Sequence, residues 1–124
     1  SKYWLNNLGR NDLDLYIDLH RDSTKYNLSN VTVNGKDYAK IMFVMGNNYD
    51  YQDNLDVATK LINEVEKINK EISRGIFTRK KSVYNQDFNK NCVLIEVGGP
   101  ESTYESVSNT LNVLALAIKN YLGE

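Results

Sequence analysis

Two apolar runs, Ile41-Met42-Phe43-Val44-Met45 and Cys92-Val93-Leu94-Ile95-Glu96-Val97, constrain this chain more than any other feature. A strand that is apolar on consecutive residues is covered on both faces, which happens in sheets buried between other layers. The first run stops at Gly46 and the second at Gly98-Gly99-Pro100, and a segment of helical periodicity follows each. In the first such segment Ala58, Leu61, Ile62, Val65, Ile68 and Ile72 share one helical face. Asp53 or Asn54 is placed to cap its start and Gly75 to stop it. In the second, Val107, Leu111, Leu114, Ile118 and Leu122 repeat the pattern behind a cap at Ser102 or Thr103. Leu13-Asp14-Leu15-Tyr16-Ile17-Asp18-Leu19 alternates with period two, as a strand with one face against a core does. Strands alternating with long helices predict an α/β fold, a mostly parallel sheet covered by helices.

The chain's 124 residues suit one domain. Its 15 basic and 16 acidic residues nearly cancel, which leaves no electrostatic footprint for nucleic acid. No apolar run approaches the roughly 20 residues that span a bilayer, so no membrane segment is expected here. Between the strands, Asn34-Gly35 predicts a tight hairpin after Val31-Thr32-Val33, because Asn-Gly readily takes two positive φ values. Ile76 to Asn91 is polar and irregular and reads as a surface loop, with room for a short strand near Phe77. Trp4, Leu5 and Leu8 form an opening helical face ended by Gly9, with no capping residue before it. A helix that starts without a cap suggests a chain cut from something longer; the alternative is an ordinary frayed terminus.

Ligands of open α/β sheets gather at the C-terminal edge of the strands. His20, the single histidine, and Glu96, the lone acid in its run, both map to that edge. A carboxylate on a buried strand is costly unless held by partners, and such groups are suited to general acid-base work; the bland alternative is an ion pair with Arg21 or Arg74. His20 and Asp22 are candidates to share a metal, or Asp22 to orient the His20 ring; the alternative is a turn built on Asp22 and Ser23. One imidazole falls short of the three protein ligands of a catalytic zinc. Arg21, Arg74 and Arg79 are candidates for pairing carboxylates of a substrate, and Tyr49 and Tyr51 for a sugar contact. Cys92, the only cysteine, opens a buried strand as a small core residue. No G-x-G-x-x-G loop and no G-x-S-x-G elbow occurs. A metal phosphohydrolase using Asp18, His20, Asp22 and Glu96 is a further reading, with magnesium or manganese.

The stretches Tyr16-Ile17-Asp18-Leu19-His20-Arg21-Asp22-Ser23, Asn54-Leu55, Ser73-Arg74-Gly75-Ile76, Tyr84-Asn85-Gln86-Asp87 and Leu94-Ile95-Glu96-Val97-Gly98-Gly99 occur in that order. Together they resemble the C-terminal part of the stage II sporulation protein P family, within the zinc-dependent N-acetylmuramoyl-L-alanine amidases. The resemblance implies that residues 1–124 are the C-terminal part of one peptidoglycan amidase domain without its N-terminal strand-helix portion. It implies cleavage between the lactyl group of muramic acid and L-alanine during forespore engulfment, with endopeptidase action also credited to this branch. In such a protein His20 matches a zinc-binding histidine and Glu96 the catalytic glutamate. The other histidine and the ligand glutamate lie on an upstream segment, so the zinc site is incomplete in this chain. Arg21, Asp22, Arg74, Asn85 and Gln86 are the expected substrate-binding residues. Expected partners are glycan strands, stem peptides and another sporulation wall lytic enzyme, in the extracytoplasmic space between mother-cell and forespore membranes, with any anchor upstream. The rival expectation is a non-catalytic module that binds cell wall or a partner.

Overall fold

Residue parity along the two apolar runs divides the molecule into two faces. In the computed structural model, which describes residues 15–22, 26–46, 52–79 and 92–123, the runs form the central strands of a four-stranded sheet. The elements are β1 (Tyr16–His20), a short α1 (Tyr26–Ser29), β2 (Asn30–Val33), β3 (Lys36–Ala39), β4 (Ile41–Gly46), α2 (Gln52–Asn69), a 3-10 turn (Lys70–Ile72), β5 (Ser73–Arg79), β6 (Cys92–Val97) and α3 (Tyr104–Leu122). Strand order is β1-β6-β4-β5, and β2 with β3 makes a separate hairpin. β1 runs parallel to β6 and β4 parallel to β5, while the central β4–β6 pairing is antiparallel. The fold is therefore the expected α/β class with a mostly parallel sheet. The central reversal brings the starts of β4 and β5 to the same edge as the ends of β1 and β6.

Odd-numbered residues of the central strands, Ile41, Phe43, Met45, Val93, Ile95 and Val97, join Val57, Ala58, Leu61, Ile62 and Val65 of α2 and Leu114 and Ala117 of α3 in the main core. Removing each large side chain of this set from water stabilises the fold by about 1.5–3 kcal/mol relative to exposure. Even-numbered Met42, Val44 and Leu94 form a second buried cluster on the opposite face. Glu96 has the parity of Leu94, so its side chain lies on the face away from the helices. Tertiary hydrogen bonds fasten α3 to the hairpin: Thr110 Oγ1 donates to the Ala39 carbonyl at 2.6 Å and Asn109 Nδ2 to the Asp37 carbonyl at 2.8 Å.

Several local expectations hold. Asn34 and Gly35 take φ of 52° and 78° between β2 and β3, as a two-residue hairpin turn requires. Thr103, not Ser102, caps α3, accepting the Ser106 N–H at 3.0 Å on its hydroxyl. Two expectations need correction. The loop expected from Ile76 begins instead as part of strand β5, seven residues long and paired with β4. Gly75 does not stop the helix, which ends at Asn69; it sits inside β5 with φ of 86°. There the register slips, so that Arg74 and Gly75 together oppose Met42 between the pairs Ile41–Ser73 and Phe43–Ile76. A bulge breaks the period-two alternation by which a strand is recognised in sequence. The opening Trp4–Gly9 segment, Tyr49, Tyr51 and the Cys92 side chain lie outside what is described. Among the described residues no helix is long and apolar enough to cross a membrane.

Candidate functional site

β1 ends in His20, β6 carries Glu96 one residue before its end, and the two residues are register partners. In a parallel pair, partners project from the same face of the sheet, with backbones about 4.8 Å apart. Glu96 is in turn the partner of Met42 on β4. A row His20–Glu96–Met42 therefore crosses three strands at one edge of the sheet. This meets the geometric condition for the two residues to meet one ligand atom: adjacent strands, one edge and one face.

The two members of the pair differ in access. Glu96 is 8% exposed, and its Oε1 is enclosed with no hydrogen-bond donor directed at it, although the residue interacts elsewhere. The His20 side chain is 36% exposed. Its Nε2 lies 3.0 Å from Oδ1 of Asp18, two residues earlier on the same face of β1. The carboxylate can only accept, so the proton of that contact sits on Nε2, and the bond fixes the orientation of the ring. Asp18 thus holds the imidazole, a role for which Asp22 was one candidate. The period-two spacing of Asp18 and His20 was the signal for it.

Asp22 is occupied otherwise. Its backbone N–H donates to the Gly98 carbonyl at 3.0 Å, which extends the β1–β6 ladder beyond the strands. Its carboxylate accepts a hydrogen bond from Arg74 Nη1 at 2.5 Å. The partner of Arg74 is therefore Asp22, not Glu96, and both side chains are largely buried, 18% and 10% exposed. Arg21 is exposed beside them. Asn85 and Gln86 lie outside the described residues, as does the side chain of Arg79.

The turn after β6 is locked from behind. Gly98 N–H donates to the Lys40 carbonyl at 2.8 Å, and Lys40 N–H to that of Ser29, also at 2.8 Å. Ser102 Oγ accepts from Gly99 N–H and donates to Asn30 Oδ1, both at 2.9 Å. Asn30 Nδ2 completes the chain to Ser29 Oγ at 3.0 Å. Short polar residues in β2 and before α3 thereby hold the backbone that carries Glu96 and receives Asp22. No motif in the sequence marks the Asn30–Ser102 bond, because the two residues are remote in the chain.

Gly75 lets β5 bulge beside Arg74. A Cβ added there meets nothing within 4 Å, so only the backbone conformation opposes substitution. Gly75→Ala is expected to lower stability by about 1–2 kcal/mol, the cost of a left-handed residue with a side chain. Equilibrium denaturation measures it; an unchanged midpoint shows that the bulge is not required.

The described residues do not by themselves suit a catalytic zinc. They provide one imidazole, and no three of their His, Cys, Asp and Glu side chains are grouped to hold a metal ion. The phosphohydrolase set loses Asp22 to Arg74.

A model of the stage II sporulation protein P family matches residues 5–119. The chain is 32% identical over 109 residues to stage II sporulation protein P of Bacillus subtilis (strain 168), an alignment covering 84% of this chain and 27% of that protein. The chain thus spans about a quarter of the length of that relative. No solved structure matches it.

Proposed function

Since the chain belongs to the stage II sporulation protein P family, we propose that it is the C-terminal part of a peptidoglycan hydrolase acting in sporulation, an N-acetylmuramoyl-L-alanine amidase with Glu96 as its proton-transfer group. The observation that carries the reading is the register pairing of His20 with Glu96 on one face at the ends of adjacent parallel strands. A histidine and a buried acid brought together from remote parts of the chain are a recurring basis for hydrolysis. Endopeptidase action on cross-links, and work during forespore engulfment beside a second wall lytic enzyme, belong to the same proposal.

Amide hydrolysis needs a base to take a proton from the attacking water and an acid to deliver one to the departing nitrogen. Glu96 serves both steps: a carboxylate oxygen accepts the proton and then returns it to the amine. His20, its ring held at Nε2 by Asp18, is the group this chain would contribute to a zinc site in the longer protein. No step is assigned to the metal, because the described residues do not complete its ligand set. The rival reading is that these residues serve as a wall-binding or partner-docking module.

The test uses the full-length protein on purified peptidoglycan, with product analysis of the new amino termini. Free L-alanine termini are expected to accumulate. New termini only within cross-links make it an endopeptidase, and binding to the wall without any new termini leaves the docking module as the function.

A further inference from the structure

Asp22 and Arg74 are each expected from sequence to touch substrate, yet the structure joins them to one another. β1 and β5 are the outer strands of the described sheet, with β6 and β4 between them. Three strand spacings amount to about 14 Å. Arg74 stands on β5 and Asp22 two residues past the end of β1, so the chain bends inward there and the 2.5 Å hydrogen bond between their side chains joins the two outer segments at that edge. Asp22 continues the parity of His20 and is bonded through its N–H to the strand beyond Glu96. Arg74 leaves the bulge that faces Met42, the register partner of Glu96. The ion pair thus spans the edge at which Glu96 is enclosed.

We infer that Arg74 and Asp22 are positioning residues, a strap that fixes the edge of the sheet carrying Glu96. Two observations favour this over contact with substrate. Arg74 engages Asp22 through Nη1 with the two side chains only 18% and 10% exposed, so the pair is largely withdrawn from the solvent through which a substrate would arrive. Asp22 is meanwhile tied to Gly98 by its backbone, so movement of its carboxylate is transmitted to the turn that ends β6. Displacement of a catalytic group by an ångström can lower a rate by up to about 10²-fold. The inference rests on Glu96 being the proton-transfer group.

The experiment is a double-mutant cycle in the full-length protein, with kcat and KM measured on soluble peptidoglycan fragments and amide exchange followed at residues 96–98. Arg74→Ala and Asp22→Asn are each expected to lower kcat by about 10- to 100-fold with KM within about twofold. The double variant should be no worse than either single one, because both remove the same link. Arg74→Lys should recover most of kcat, since one ammonium donor replaces the one used. Faster exchange at 96–98 in both single variants is the accompanying sign. A rise in KM at constant kcat, additive losses, or unaltered exchange overturns the inference. If the wild-type protein hydrolyses nothing while exchange responds as described, the hydrolase reading fails and the strap stands.

Discussion

Glu96→Gln in the full-length protein is expected to lower hydrolysis of peptidoglycan amide bonds by about 10²- to 10⁴-fold, the usual contribution of a general acid-base group. Glutamine keeps the shape of the side chain and the backbone ladder to His20 and Met42 is unaffected, so the fold should persist. On the proposed mechanism, what is lost is the acceptor for the water proton. Metal content should be unchanged, because Glu96 is not assigned as a ligand. His20→Ala should behave differently and lose bound zinc and activity together. Rates on purified wall, metal analysis and circular dichroism of the two variants separate the roles. A Glu96→Gln protein with full activity shows that the base is another residue and that Glu96 supports the fold.

Gly98→Ala is expected to be the most damaging small change near the site. Gly98 has φ of +66°, and a Cβ there would stand 2.5 Å from Ser102 Oγ and 3.0 Å from Ala39 Cβ. The left-handed backbone costs about 1–2 kcal/mol with a side chain present, and overpacking a fitted site costs about 1–3 kcal/mol more. The combined loss is about 2–5 kcal/mol, a large share of the roughly 5–15 kcal/mol that holds a domain together. Relief by moving Ser102 breaks its bonds to Gly99 and Asn30. Denaturant titration of Gly98→Ala beside Gly75→Ala tests the argument, since the second position pays only the backbone part. Equal midpoints for the two variants mean that the Ser102 contact relaxes without cost.

Much of the candidate site is legible in the chain before any coordinates. A glutamate inside Val93–Val97 and a histidine after an alternating run are visible because each is an exception to a local pattern. Asn34-Gly35 and Thr103 act through their own backbone neighbourhoods, so their roles follow from residue type. Asp18 was within reach of the same reasoning, two residues from His20 on one face of a strand.

The strands β1, β4 and β6, the helical stripes and the chemistry at the strand ends are properties of neighbouring residues and follow from local pattern. The tertiary structure alone decided that β4 reverses against β6, that Ser73–Arg79 joins the sheet, and that His20 falls opposite Glu96. Periodicity specifies which face of a strand is buried but not which strand lies beside it. Order and register depend on burial summed over the whole sheet, where a slip of one residue turns every side chain to the other face. The pairing of Asp22 with Arg74 has the same origin: each is an ordinary charged residue in its own segment, and only the antiparallel turn at the centre of the sheet puts the start of β5 within reach of the end of β1.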